Sequence, residues 1–155
     1  MALARIFRPE NRLAAIFGTL RDPTVEELES SAQTNLDGMR DRIRAFAIEQ
    51  LKVVSTLADE PEEVIFAECR TMSNAALAIS EVAGAAGLED LGGAALGLHI
   101  MIDALFTQGI WHTDALRLHV ETLAMLAANP DLSQTEASKV LNQMQMMRNL
   151  IGVVE

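Results

Sequence analysis

Residues 73–106, SNAALAISEVAGAAGLEDLGGAALGLHIMIDALF, decide the fold. Ala, Leu, Ile and Val dominate on both sides of Gly84 and Gly87, so the stretch reads as two apolar helices hinged at the glycines. Each arm has to bury one side, and the flanking segments have to supply the surfaces that cover it.

Working outward, 155 residues suit one domain with one core, large enough to fold without disulfides or a structural metal. Half of the residues are hydrophobic but only 4% are aromatic, and there is no Tyr, a balance that suits helices over sheets. The prediction is an all-α protein: an antiparallel up-and-down helical bundle with a four-helix core and one extra helix.

The net charge of −10 argues against a phosphate-binding surface and so against nucleic acid as a partner, because nucleic-acid affinity comes mainly from clustered Lys and Arg that displace counterions. The single cysteine, Cys69, cannot form an internal disulfide, and the first residues lack the apolar run of a secretory signal. Glu81, Glu89, Asp90 and Asp103 interrupt the apolar runs of the central hairpin, which argues against stable membrane insertion. A soluble cytoplasmic protein is expected.

Residues 1–21 stand apart as an arm with Arg5, Arg8, Arg12 and Arg21 against Glu10 alone, and 22–155 form the domain. Leu3, Ile6, Phe7, Leu13, Ile16, Phe17 and Leu20 would let the arm act as a docking segment or as a strap across the acidic helices. Thr24 and Glu27 have capping-box spacing, and Asp22 is a second candidate cap. Val25, Leu28, Ala32, Leu36, Met39, Ile43 and Phe46, continuing through Ala47, Leu51 and Val54, form one apolar stripe on a helix of about 30 residues.

The acidic break at residues 59–63 opens the next helix, which buries Ile65, Cys69, Met72, Ala76, Ile79 and Val82 or Ala83 and ends at Gly84 or Gly87. As a calcium loop the break lacks alternating oxygen ligands and glycine. A third helix from Leu88 to Phe106 carries Leu91, Ala95, Leu98, Ile102 and Leu105. Gly93 and Gly97, one turn apart, suggest a neighbouring backbone close by. Leu116, Val120, Leu123 and Leu126 mark a fourth helix ended by Asn129-Pro130. Ser133 and Glu136 form a second capping box before the fifth, which carries Ala137, Val140, Leu141, Met144, Met147 and Ile151.

No enzyme motif is present: no phosphate loop, nucleophile elbow, zinc-binding cysteine pair or paired histidines at ligand spacing. Neither cofactor nor metal is expected. His99 and Asp103 are spaced for an exposed ion pair, His112 belongs to a helix cap, and His119 lies on the apolar stripe of its helix as a core-edge residue. Cys69 reads as a small buried residue, and of the cluster Met144, Met146 and Met147 only Met146 falls outside the core register.

At the hairpin, Ile79-Ser80-Glu81-Val82-Ala83-Gly84-Ala85-Ala86-Gly87 followed by Leu88-Glu89-Asp90-Leu91 resembles histidine-phosphotransfer (HPt) domains of two-component signalling. Their pattern is His-x-x-Lys-Gly-x-x-Gly, then Gly-Leu-x-x-Leu. Aligning Gly84 with the first glycine puts Ser80 at the histidine and Ala83 at the lysine. Aligning on Gly87-Leu88 puts Leu77 at the histidine. Serine is a weak nucleophile without a neighbouring base, so neither register has a phosphoacceptor. From Arg12-Leu13-Ala14 to His119-Val120-Glu121-Thr122-Leu123 the chain is also similar to the small helical chemotaxis proteins called CheE of alphaproteobacteria. The resemblance implies a non-enzymatic HPt-like module that docks a response regulator receiver domain or a histidine kinase through Leu77, Ser80, Glu81, Gly84 and His99. Two other functions fit the same sequence: a phosphotransferase using His99 or His119, and a homodimer packed through the glycine face of the third helix.

Overall fold

The structure is a computed structural model that describes residues 24–153, which are helical throughout apart from short connections. The sequence-predicted arm, residues 1–21, and the alternative cap Asp22 lie outside the described residues. The chain divides into two compact units, 1–36 and 37–155, and the first helix, α1 (Val25–Ala58), runs through the division. Helices α2 (Glu62–Ala67), α3 (Cys69–Ala83), α4 (Glu89–Gln108), α5 (Thr113–Ala128) and α6 (Gln134–Leu150) follow.

In the described part of the first unit, Thr24 caps α1. The Glu27 backbone N–H donates to Thr24 Oγ1 at 3.2 Å and the Thr24 N–H to Glu27 Oε2 at 2.9 Å, which satisfies two of the donors a helix start leaves open. The first part of the stripe that follows is exposed. Val25 and Leu28 are 70% and 55% exposed, Leu36 51% and, in the second unit, Met39 57%. Burial on α1 begins only at Ala47 and continues through Leu51, Val54 and Ala58. The periodicity is correct, but the first part of the stripe is exposed and only its C-terminal part joins the core.

In the second unit α4 is the hub, packing against α3, α5 and α6. Every residue of its expected stripe, Leu91, Ala95, Leu98, Ile102 and Leu105, is buried. Ile65, Met72, Ile79, Met101, Leu116 and Leu123 join them in one core. Each large side chain fully buried there stabilises the fold by about 1.5–3 kcal/mol. By length and composition α4 alone among the described helices could cross a membrane, and half of that apolar window is buried inside the fold.

Where one helix was expected from Pro61 to Ala83, the structure breaks it at Glu68 into α2 and α3. No Gly or Pro marks the spot. Beside the break, Phe66 packs edge-on against Trp111 at 5.3 Å and tilted against Phe106 at 6.2 Å, while Arg70 sits over the Phe106 ring. Tertiary packing therefore stands where a local breaker would.

Glycine caps close three helices. Gly87 (φ 71°) and Gly109 (φ 68°) take left-handed backbone, and Leu88 and Ile110 donate back to the Ala83 and Leu105 carbonyls at 3.0 and 3.2 Å. At the end of α6, Gly152 (φ 86°) is left-handed and the Val153 N–H donates to the Arg148 carbonyl at 3.0 Å. The expected Ser133–Glu136 capping box opens α6. α1 has no basic residue in its last turn, and Arg117 of α5 supplies the cap from a distance: Nε and Nη2 donate to the Ala58 and Glu60 carbonyls.

Candidate partner-binding site

Leu77, Ser80, Glu81 and Gly84 recur along α3 and its terminal turn at helical spacing, so they share one face near the hairpin end. Leu77 is half-buried. Ser80 folds its hydroxyl back onto the Leu77 carbonyl at 2.7 Å, a bond that leaves the side chain partly accessible. Glu81 and Gly84 are exposed. Gly84 opens a 3-10 turn with ordinary right-handed backbone, and a Cβ built on it would meet nothing within 4 Å. Glycine there serves no turn; it leaves a bare surface at the end of the helix.

His99 lies on α4, against an earlier part of α3. Its Nδ1 lies 2.8 Å from Ser73 Oγ, and Ser73 is seven residues, roughly 10 Å of helix, before Ser80. The expected ion pair with Asp103 is replaced by this bond. The Ser73 hydroxyl donates to Nδ1 when the ring carries its proton on Nε2, and accepts when Nδ1 is protonated. The half-buried His99 lines a solvent-open cleft with Arg70, Ser73, Asn74 and Asp103. Arg70, Ser73 and Asn74 continue the Leu77–Gly84 face back along α3, so the hairpin end and the cleft form one strip. Sequence reasoning missed these three. The signal was the helical period upstream of Leu77, but their pairing with His99 depends on the register of α3 against α4.

The other two histidines are placed differently. His112 is exposed at the N-cap of α5 and makes no side-chain cap; Thr113 instead donates its hydroxyl to Glu62 Oε2. His119 is fully buried, and Arg148 Nη1 donates to its Nε2 at 3.3 Å. Its pKa falls from 6.5 to about 4, first because burial penalises the charged ring and then because the Arg148 charge opposes it; the Ala115 carbonyl pulls weakly the other way.

The glycines of α4 also differ from expectation. Gly97 makes room for no backbone: the Arg148 guanidinium occupies the space a Cβ would take. Gly93 faces the Leu141 side chain at ordinary distance, and the close approach belongs to Gly92, where a Cβ would come within 3.1 Å of Ala83 Cβ. The chain's own side chains therefore fill most of the glycine face. Cys69 is buried and Met146 is exposed, each in its expected register. No three His, Cys, Asp or Glu side chains converge as metal ligands among the described residues. No family model matches the chain, and no curated protein or solved structure matches it.

Proposed function

We propose that the protein is a non-enzymatic cytoplasmic signalling module of the HPt-like, antiparallel up-and-down kind, similar to CheE, that docks a response regulator receiver domain or a histidine kinase and modulates phosphate flow without carrying phosphate. The observation that carries this reading is the bare end of α3: Gly84 has no neighbour, and exposed Glu81 and partly exposed Ser80 flank it. A partner backbone can approach closely only where side chains are absent. Ala83, at the position of the motif's lysine, is buried against Gly92 and carries no charge, so no cation stands at that position to stabilise a phosphoryl group beside Ser80.

The test is to incubate the full chain with phosphorylated kinase and the response regulators of its own genome, and to follow phosphate on every component. A docking module stays unlabelled, changes the regulators' label and loses that effect in Gly84→Arg while circular dichroism stays unchanged. Unaltered regulator labelling in its presence refutes the reading.

A second reading, phosphoryl transfer through His99, draws on the Ser73–His99 bond. With Nδ1–H donating to Ser73, Nε2 keeps its lone pair for attack, in a cleft that also holds Arg70. Acid-labile phosphate on the wild type, absent from His99→Ala, is its signature. His119 suits this role poorly, since its buried Nε2 is engaged by Arg148.

A further inference from the structure

Glu62, Glu63 and Phe66 stand one turn apart on α2, so the short helix turns two carboxylates and a ring the same way. All three are exposed. Trp111, from the connection between α4 and α5, meets them there: its ring lies 5.3 Å from Phe66, with the two planes at 89°. The Thr113 hydroxyl donates to Glu62 Oε2 and ties that connection to α2. Together Glu62, Glu63, Phe66 and Trp111 line a cleft of about 290 Å³ that is wide open to solvent. The indole Nε1 is buried, so Trp111 offers the cleft ring carbon and no donor.

Two aromatic walls at a right angle, with carboxylates beside them, attract one class of ligand. The ring faces are electron-rich and the carboxylates fully charged, so the corner favours an organic cation and repels anions. The cluster already holds one such group. Phe106 lies 6.2 Å from Phe66, and the Arg70 guanidinium sits over the Phe106 ring, 5.3 Å from its centroid. Arg117, the other cation close to α2, donates to the Ala58 and Glu60 carbonyls. No Lys or Arg lines the Phe66–Trp111 corner itself among the described residues. A guanidinium suits that corner better than an ammonium, because it is planar and can stack on a ring while its edge pairs with a carboxylate. Small-molecule sites enclose most of their ligand, whereas this cleft is open, so the cation it fits is a side chain presented by a larger partner.

We propose that the Phe66–Trp111 corner docks an arginine side chain displayed by a partner protein, with the guanidinium stacked on the rings and its N–H groups donating to Glu63. The length of α3, roughly 22 Å of helix, separates this corner from Gly84, so this site and the docking face can fail independently.

Trp111 is the only tryptophan and the chain has no Tyr, so fluorescence reads the corner directly. Titrating the full chain with a blocked glycine peptide that carries one arginine should change the emission along a saturating curve, at about millimolar concentration because a single side chain supplies the contact. The same peptide with lysine should need about threefold more. Phe66→Leu should weaken binding of the arginine peptide about tenfold and Glu63→Gln about threefold. Asp131→Asn removes the same charge beyond the far end of α5 and should change nothing. Glu63→Gln alters an exposed side chain and so tests the site without disturbing α2. An emission change that never saturates, lysine peptide or tetramethylammonium chloride binding as tightly as the arginine peptide, or equal losses in Glu63→Gln and Asp131→Asn overturns the proposal.

Discussion

The Arg148 guanidinium rests on Gly97 and donates to His119 across 3.3 Å, so a cation on α6 is held over a notch in α4 by a neutral histidine of α5. Three helices meet at this contact, and both of its polar side chains are buried. Buried polar groups of this kind are costly when broken, which makes the contact a sensitive point of the fold.

Acid should destabilise the protein through His119. Its folded pKa of about 4 lies below the unfolded value of 6.5, so the unfolded chain binds the proton first. The stability present above pH 6.5 is lost as pH falls toward 4, by up to about 3 kcal/mol. Urea unfolding across that window measures it, and His119→Leu should remove this component of the pH slope.

Neighbouring glycines of α4 should respond oppositely to alanine. At Gly93 a methyl group reaches only the Leu141 side chain at 3.8 Å, so Gly93→Ala should stabilise by up to about 1 kcal/mol through helix propensity. At Gly97 the methyl displaces the Arg148 guanidinium from His119, and Gly97→Ala should cost about 1–3 kcal/mol. A double-mutant cycle with Arg148→Met should show strong coupling at Gly97 and none at Gly93.

The hairpin turn should separate its two glycines. Gly87 sits at φ 71°, so Gly87→Ala should cost about 1–2 kcal/mol in thermal unfolding. Gly84 has right-handed backbone and open space, so Gly84→Ala should leave the midpoint unchanged or raise it slightly.

Histidine modification by diethylpyrocarbonate, followed by peptide mass spectrometry, should order the three rings by accessibility. His112 reacts fastest, His99 more slowly, and His119 only on unfolding. Ser73→Ala should accelerate His99, because its Nδ1 loses the hydroxyl that holds it.

What the sequence by itself determined is local and periodic. Helical stripes at Ile65–Ala83, Leu91–Leu105 and Leu116–Leu126, the capping boxes at Thr24 and Ser133, and a glycine stop at Gly84 or Gly87 all follow from spacing and backbone chemistry within a few residues; the structure puts the left-handed backbone at Gly87. Of the candidate site, the shared face of Leu77, Ser80, Glu81 and Gly84 was legible for the same reason.

Tertiary structure decided the rest, because periodicity reports that a face is apolar and never what covers it. The α1 stripe is exposed from Val25 to Met39, whereas an equally regular stripe on α4 is enclosed. His99 meets Ser73 rather than Asp103, and Arg148 meets His119, because the register between helices brings together residues 26 and 29 positions apart. Gly97 lies beneath a guanidinium that no local pattern places there. Local chemistry sets where helices begin, end and turn their apolar sides; the geometry of packing alone determines which polar groups those sides bring together.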